Sequence, residues 1–140
     1  MIDKFNIGRR ALLGGAASAA ALGLAGGAQA QKPLVVGFIY VGPRDDYGYN
    51  QAHAEGAAAL KKMAGVKVVE EEKVPETVAV EKSMESMINM DGATLLFPTS
   101  FGYFDPHMLK MAEKYPKVRF AHCGGMWTQG KHPANTGSFF

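Results

Sequence analysis

Apolar positions along this chain alternate between two rhythms. Leu34–Val41 reads Leu-Val-Val-Gly-Phe-Ile-Tyr-Val, apolar on both faces and rich in β-branched residues, and Gly42-Pro43 ends it. That is the pattern of a central strand in a parallel sheet. Asn50–Ala64 is Ala-rich and changes to the helical period, with Ala52, Gly56, Ala59, Leu60 and Met63 on one stripe and Gly65 as its C-terminal stop. Val66–Glu70 predicts a short second strand whose charged end, Glu70–Lys73, reads as solvated. Thr77–Met90 predicts a second helix with Val80, Met84, Met87 and Ile88 inward, closed by Asp91-Gly92. Ala93–Phe97 is a third buried strand, halted by Pro98. Asp105-Pro106 has the form of a helix start, an acid at the cap and proline in the first turn. Met108, Leu109, Ala112 and Tyr115 line the helix that follows. Val118–Cys123 predicts a fourth strand and Asn135–Phe140 the beginning of a fifth.

This strand–helix alternation predicts an α/β fold, a three-layer parallel sheet with helices on both faces and right-handed crossovers. The chain stops in the apolar segment Ser138-Phe139-Phe140 with neither polar tail nor cap, which reads as a truncated domain.

The first thirty residues follow neither rhythm. Met1–Arg10 is short and basic, Ala11–Gly27 carries no charge, and Ala28-Gln29-Ala30 supplies a small-x-small cleavage pattern. These are the three parts of a secretory signal peptide, predicted to be cut after Ala30 to leave a periplasmic protein. The run Gly8-Arg9-Arg10-Ala11-Leu12-Leu13 resembles a twin-arginine export signal, with the general export route as the alternative. Removing this segment changes the electrostatic picture. The whole chain has 15 Lys and Arg against 13 Asp and Glu. Lys4, Arg9, Arg10 and Asp3 give residues 1–30 a net +2, which leaves the body with 12 charges of each sign. A neutral body excludes a nucleic-acid-binding module. A single cysteine, Cys123, excludes an internal disulfide and a multi-cysteine metal site.

In an open parallel sheet, ligands bind beyond the carboxyl ends of the strands. Three loops meet that condition: Gly42–Gln51, which contains Asp45, Asp46, Tyr47, Tyr49 and Asn50; Thr99–Tyr103; and Cys123–Trp127. Aromatic planes beside carboxylate and amide groups suit a flat, polar, uncharged ligand such as a nucleobase or nucleoside. A plainer role is open for the same residues, with Asp46 as a helix cap and the tyrosines as half-buried surface. The chain lacks a glycine-rich phosphate fingerprint and a serine elbow. His122 and Cys123, adjacent on a strand, point to opposite faces and do not converge on one atom. His53, His107 and His132 read as surface histidines. Met84, Met87, Met90, Met108 and Met111 have the spacing of copper-binding thioethers, but the helical stripe already explains them as core. No cofactor, metal or catalytic residue is expected.

With these features assembled, the chain resembles the basic membrane protein (BMP) family of ABC-importer substrate-binding proteins, many of them specific for purine nucleosides. The residues that carry the resemblance are Val36–Pro43 followed by Asp46-Tyr47-Gly48-Tyr49-Asn50, and Thr99-Ser100-Phe101-Gly102-Tyr103. The resemblance implies the first lobe of a type I periplasmic-binding-protein fold, with 31–140 as that lobe and an ABC permease as membrane partner. It implies that Tyr49 stacks on the base and that Asp46 and Asn50 bond the ligand's polar edges. Tyr47, Thr99, Ser100, Phe101 and Gly124 would complete the cleft. Family members often carry an aspartate after the fourth strand that holds the ribose. Here that place reads Cys123-Gly124-Gly125, which favours a free purine base such as adenine. The rival readings are an exported α/β enzyme using Asp45 and Asp46, and a ligand-sensing lobe for another small aromatic solute.

Overall fold

The β-branched and aromatic runs form the strands. In the computed structural model, which describes residues 32–140, β1 (Leu34–Ile39) leads through α1 (Tyr49–Leu60) to β2 (Val66–Glu71). α2 (Val78–Asn89) then leads to β3 (Leu95–Pro98), α3 (Leu109–Lys114) to β4 (Arg119–Cys123), and a loop to β5 (Thr136–Phe139). All pairings are parallel and the strand order is β2-β1-β3-β4-β5. The expected α/β sheet is therefore present, and Pro98, expected to halt β3, is its last paired residue, opposite Ile39.

The two faces of the sheet are packed differently. On one, α2, α3 and the turn leading into α3 bury Val80, Met84, Met87, Met108 and Met111 against Val35, Ile39, Leu96 and Phe120. Met84, Met87, Met108 and Met111 are thus core filler, whereas Met90 is 83% exposed at the end of α2. Thr77 caps α2 by accepting from Ala79 N at 3.3 Å. On the other face, α1 covers an aromatic layer in which Phe38 stacks on Phe97 with centroids 4.7 Å apart.

Several expectations are revised here. In α1 the buried positions are Asn50 and Ala57, with Ala54 and Leu60 beside them, while Ala52, Gly56, Ala59 and Met63 face solvent. A helix made largely of alanine and glycine is weakly apolar on every side, so its period does not single out one face. α1 also ends at Leu60, and a turn through Lys61–Ala64 separates it from Gly65. At the third helix, Asp105 has the extended backbone of a cap residue (φ −127°, ψ 124°) and helical backbone follows from Pro106, as expected, although the chain is already coiled at Phe101–Tyr103 and passes through a wide turn at Phe104–Met108 before α3. A residue preceding proline is driven out of the helical region. Finally, Glu70–Lys73 is solvated only at Glu71 and Lys73, while Glu70 and Glu72 are engaged. The Glu70 side chain is only 6% exposed, accepts from Tyr40 Oη at 2.9 Å, and pairs with Lys61 and with Arg44 at 3.5 Å. Glu72 Oε2 accepts from Arg44 N at 3.0 Å and Arg44 Nε at 3.1 Å. These acids fasten the start of the loop after β1 to the end of β2.

The export signal read in residues 1–30, its Arg9-Arg10 pair and its cut after Ala30 lie outside the described residues.

Candidate functional site

β1 lies between β2 and β3, and the chain winds away from it in both directions. The carboxyl ends of β1 and β3 therefore border the crevice where an α/β sheet changes winding sense, the usual ligand position of such sheets. The loops after β1, β3 and β4 meet there.

In the loop after β1, the backbone of Tyr47 turns left-handed (φ 55°) and leaves its ring 96% exposed. Asp46 folds back on the start of α1. Its Oδ1 accepts from Gly48 N (2.9 Å) and Gln51 N (3.0 Å), and its Oδ2 from Asn50 N (3.1 Å) and Asn50 Nδ2 (2.8 Å). These bonds, the one from Gln51 foremost, hold its carboxyl down at about 2. Asp46 is thus a charged helix cap in this conformation. The bond from Nδ2 also fixes the Asn50 amide, because an ionised carboxylate can only accept. Asn50 Oδ1 is left buried without a partner among the described residues.

Tyr49 opens α1 and bridges to the next loop. Its hydroxyl donates to Thr99 O at 2.5 Å. Burial, then the neighbouring Cys123 thiol, pushes the phenol up to about 12. Its ring lies edge-on to His53 at 4.6 Å and tilted toward Phe101 at 5.7 Å.

The loop after β3 is tied to distant elements. Thr99 Oγ1 donates to Ile39 O at 2.9 Å, and Ser100 Oγ donates to Glu76 Oε1 at 2.5 Å. Ser100 O accepts from His122 Nε2 at 2.8 Å. Burial pushes His122 down, so the ring is neutral with its proton on Nε2. Between these anchors Phe101 is 65% exposed. Gly124 (φ +76°) lies under it, where a Cβ would stand 2.7 Å from the ring.

The structure therefore gathers Tyr49, Thr99, Ser100, Phe101 and Gly124 at one mouth. Asp46 and Asn50 meet each other at the helix start, and Tyr47 stands in solvent. Two residues, His53 and Glu76, escaped the sequence reading. His53, taken for surface, is half-buried against Tyr49 and lowered by burial and then by His122; its position four residues after Tyr49 was the available signal. The Cys123 thiol faces Tyr49. Glu76 had no local signal, since its partners are 24 and 26 residues away. The other two histidines are also engaged, His107 Nδ1 at 2.8 Å from Glu81 and His132 Nδ1 accepting from Thr128 N at 2.9 Å. Among the described residues, no group of three or more His, Cys, Asp or Glu side chains is placed to hold a metal ion.

Chemically, the Asp46 carboxylate and the hydroxyls of Tyr49, Thr99 and Ser100 are committed to the protein's own framework. The exposed faces of Tyr49 and Phe101 are of a kind that can stack on a flat ring.

Comparison with known proteins gives a consistent picture. Residues 34–140 match the family described as ABC transporter substrate-binding protein PnrA-like. A purine-binding protein of Brucella abortus (strain 2308) is 37% identical over 126 residues, covering 89% of this chain and 35% of that protein. A solute-binding protein of an Aeropyrum pernix K1 ABC transporter system superposes with a TM-score of 0.59 at 27% identity, over 76% of this chain and 28% of its own. A Conexibacter woesei DSM 14684 counterpart shares the fold at a TM-score of 0.56 and 22% identity, over 66% of this chain and 30% of its own. The chain thus spans about a third of the length of the curated relative it matches.

Proposed function

The chain belongs to the PnrA-like family of ABC transporter substrate-binding proteins, and from that premise we propose that it captures a purine base or nucleoside outside the cytoplasmic membrane and delivers it to an ABC permease. The family is one of binding proteins rather than enzymes. The observation that carries the ligand class is the Tyr49–Phe101 pair at the crevice between β1 and β3, centroids 5.7 Å apart and tilted by 33°. Two half-exposed aromatic planes beside Gly124 offer stacking to a purine ring. The purine-binding relative from Brucella abortus supports the same class.

Within that class the reading favours the free base. The turn after β4 is Cys123-Gly124-Gly125 and offers no carboxylate for a ribose. Residues 1–30 are read as an export signal, removed after Ala30 and routed by Arg9-Arg10. The decisive experiment is mass spectrometry of small molecules co-purifying with the full-length protein, followed by calorimetric titration with adenine and adenosine. Retention of a purine and tighter binding of adenine support the reading. Strong preference for adenosine overturns the free-base choice, and indifference to all purines overturns the ligand class. Export that survives replacement of Arg9 and Arg10 by lysine excludes the twin-arginine route.

A further inference from the structure

We propose that Glu76 is the positioning residue of this cleft: acting through Ser100 and Gly102, it holds the Phe101 ring in place as one wall of the site. The inference rests on the purine-capture reading above.

Glu76 stands in the loop between β2 and α2, next to the cap residue Thr77. Its Oε1 accepts from Ser100 Oγ at 2.5 Å and from Gly102 N at 2.9 Å. Those two residues flank Phe101, so one oxygen fixes the chain on both sides of the ring. The fit against Gly102 is close. A Cβ there would lie 2.5 Å from Glu76 Cδ and 2.7 and 2.8 Å from its two oxygens. Real Cβ atoms do not approach carboxylates so closely, and a side chain at position 102 would push the acid away.

Glu76 is itself anchored. Val74 N donates to Tyr40 O at 3.0 Å, and Val74 O accepts from the buried Tyr103 hydroxyl. The β2–α2 loop is thereby joined to the end of β1 and to the turn after Phe101. With Ser100, Gly102 and Tyr103 all donating to Val74–Glu76, the segment carrying Phe101 is held at three points. From beneath, Gly124 gives the ring room, and from the side Tyr49 faces it. Two donors on one carboxylate oxygen also keep Glu76 ionised, Ser100 contributing more than Gly102.

A plainer role exists for an exposed acid before a helix: it favours the helix dipole and adds slightly to stability. That role leaves ligand affinity untouched, and a double-mutant cycle separates the two. Adenine is titrated into the full-length protein and into its Glu76→Ala, Phe101→Ala and doubly substituted variants. Each single change is expected to weaken adenine binding roughly tenfold or more, the scale of one lost stacking plane. The double variant is expected to bind no worse than Phe101→Ala, because Glu76 has nothing left to position. Glu76→Gln, whose amide oxygen still accepts from both donors, is expected to recover most of the loss. Parent-like binding by Glu76→Ala overturns the inference, and so do losses that multiply in the double variant. If Glu76→Ala fails to fold, Ser100→Ala takes its place in the cycle, with the same non-additivity expected. Failure of the parent to bind adenine or any other purine removes the proposed function, and this inference with it. A weakened Phe101→Ala beside an unaffected Glu76→Ala removes this inference alone.

Discussion

The loops after β1 and after β3 face each other across one mouth, yet they are held in different ways. In the first, the bonds of Asp46 close over two to five residues, to Gly48, Asn50 and Gln51. In the second, Ser100 reaches Glu76 across 24 residues and His122 across 22, and Gly102 reaches Glu76 across 26. The first loop takes its shape mainly from its own sequence. The second takes its shape from the assembled sheet. Tyr49 connects them through its bond to Thr99 O, so the rigid second loop also steadies the first.

The largest effect that sharpens this contrast is expected at the connecting residue. Tyr49→Ala removes both the stacking plane and the bridge, and adenine binding should weaken about ten- to a hundredfold, given roughly 1–3 kcal/mol per stacked base. Tyr49→Phe keeps the plane and deletes only the bridge. In calorimetry it should fall between parent and Tyr49→Ala, and equality with Tyr49→Ala would mean that the bridge, not the ring, governs binding. Next comes Gly124→Ala. A left-handed conformation costs a residue with a Cβ about 1–2 kcal/mol, and here the new methyl also meets Phe101. Urea denaturation should show that loss, together with weaker adenine binding.

A smaller and more confined effect is expected at Asp46. Asp46→Ala should speed hydrogen exchange at the first amides of α1, Asn50 and Gln51, and leave the amides of Ser100 and Gly102 unchanged. Acceleration in both places would break the contrast. The same amides report pH. The Asp46 carboxyl is lowered from 3.8 to about 2, so its contribution is full above the ordinary value and is lost as pH falls through about 2. Protection of the α1 start should therefore persist at pH 4 and fade near pH 2. The smallest effect is expected away from both loops. Met84→Leu conserves volume in the α2 face and should change stability by less than about 1.5 kcal/mol and adenine affinity not at all.

The same contrast explains what could be read from sequence. β1 and α2 were legible because continuous apolar runs and an unambiguous helical stripe each admit one solution. α1 was not, since Ala52, Gly56 and Ala59 satisfy the helical period as well as Ala54 and Ala57 do, with Leu60 common to both readings. Only the shape of the aromatic layer under Phe38 and Phe97 decides between them. The plainer role of Asp46 was legible because its partners lie within five residues. Glu70 and Glu76 were not, because a carboxylate's burial and its partners depend on where β2 and the β2–α2 loop come to rest. Aromatic residues at the mouth were visible from composition, but which of them face one another was settled by the strand order.

The self-closing form of Asp46 has a practical corollary for protein engineering. A segment whose cap, turn and helix start are written into the same short stretch can be exchanged as a cassette between related scaffolds and carry its shape along. Gly42–Gln51 has that property in part, its outside holds being those of Glu70 and Glu72 on Arg44, of Lys73 N on Gly42 O and of Thr99 O on the Tyr49 hydroxyl. The loop around Phe101 lacks it. Transplanting Thr99–Tyr103 alone would leave Glu76, His122 and Gly124 behind, so that wall of the cleft has to be moved as a set or redesigned in place.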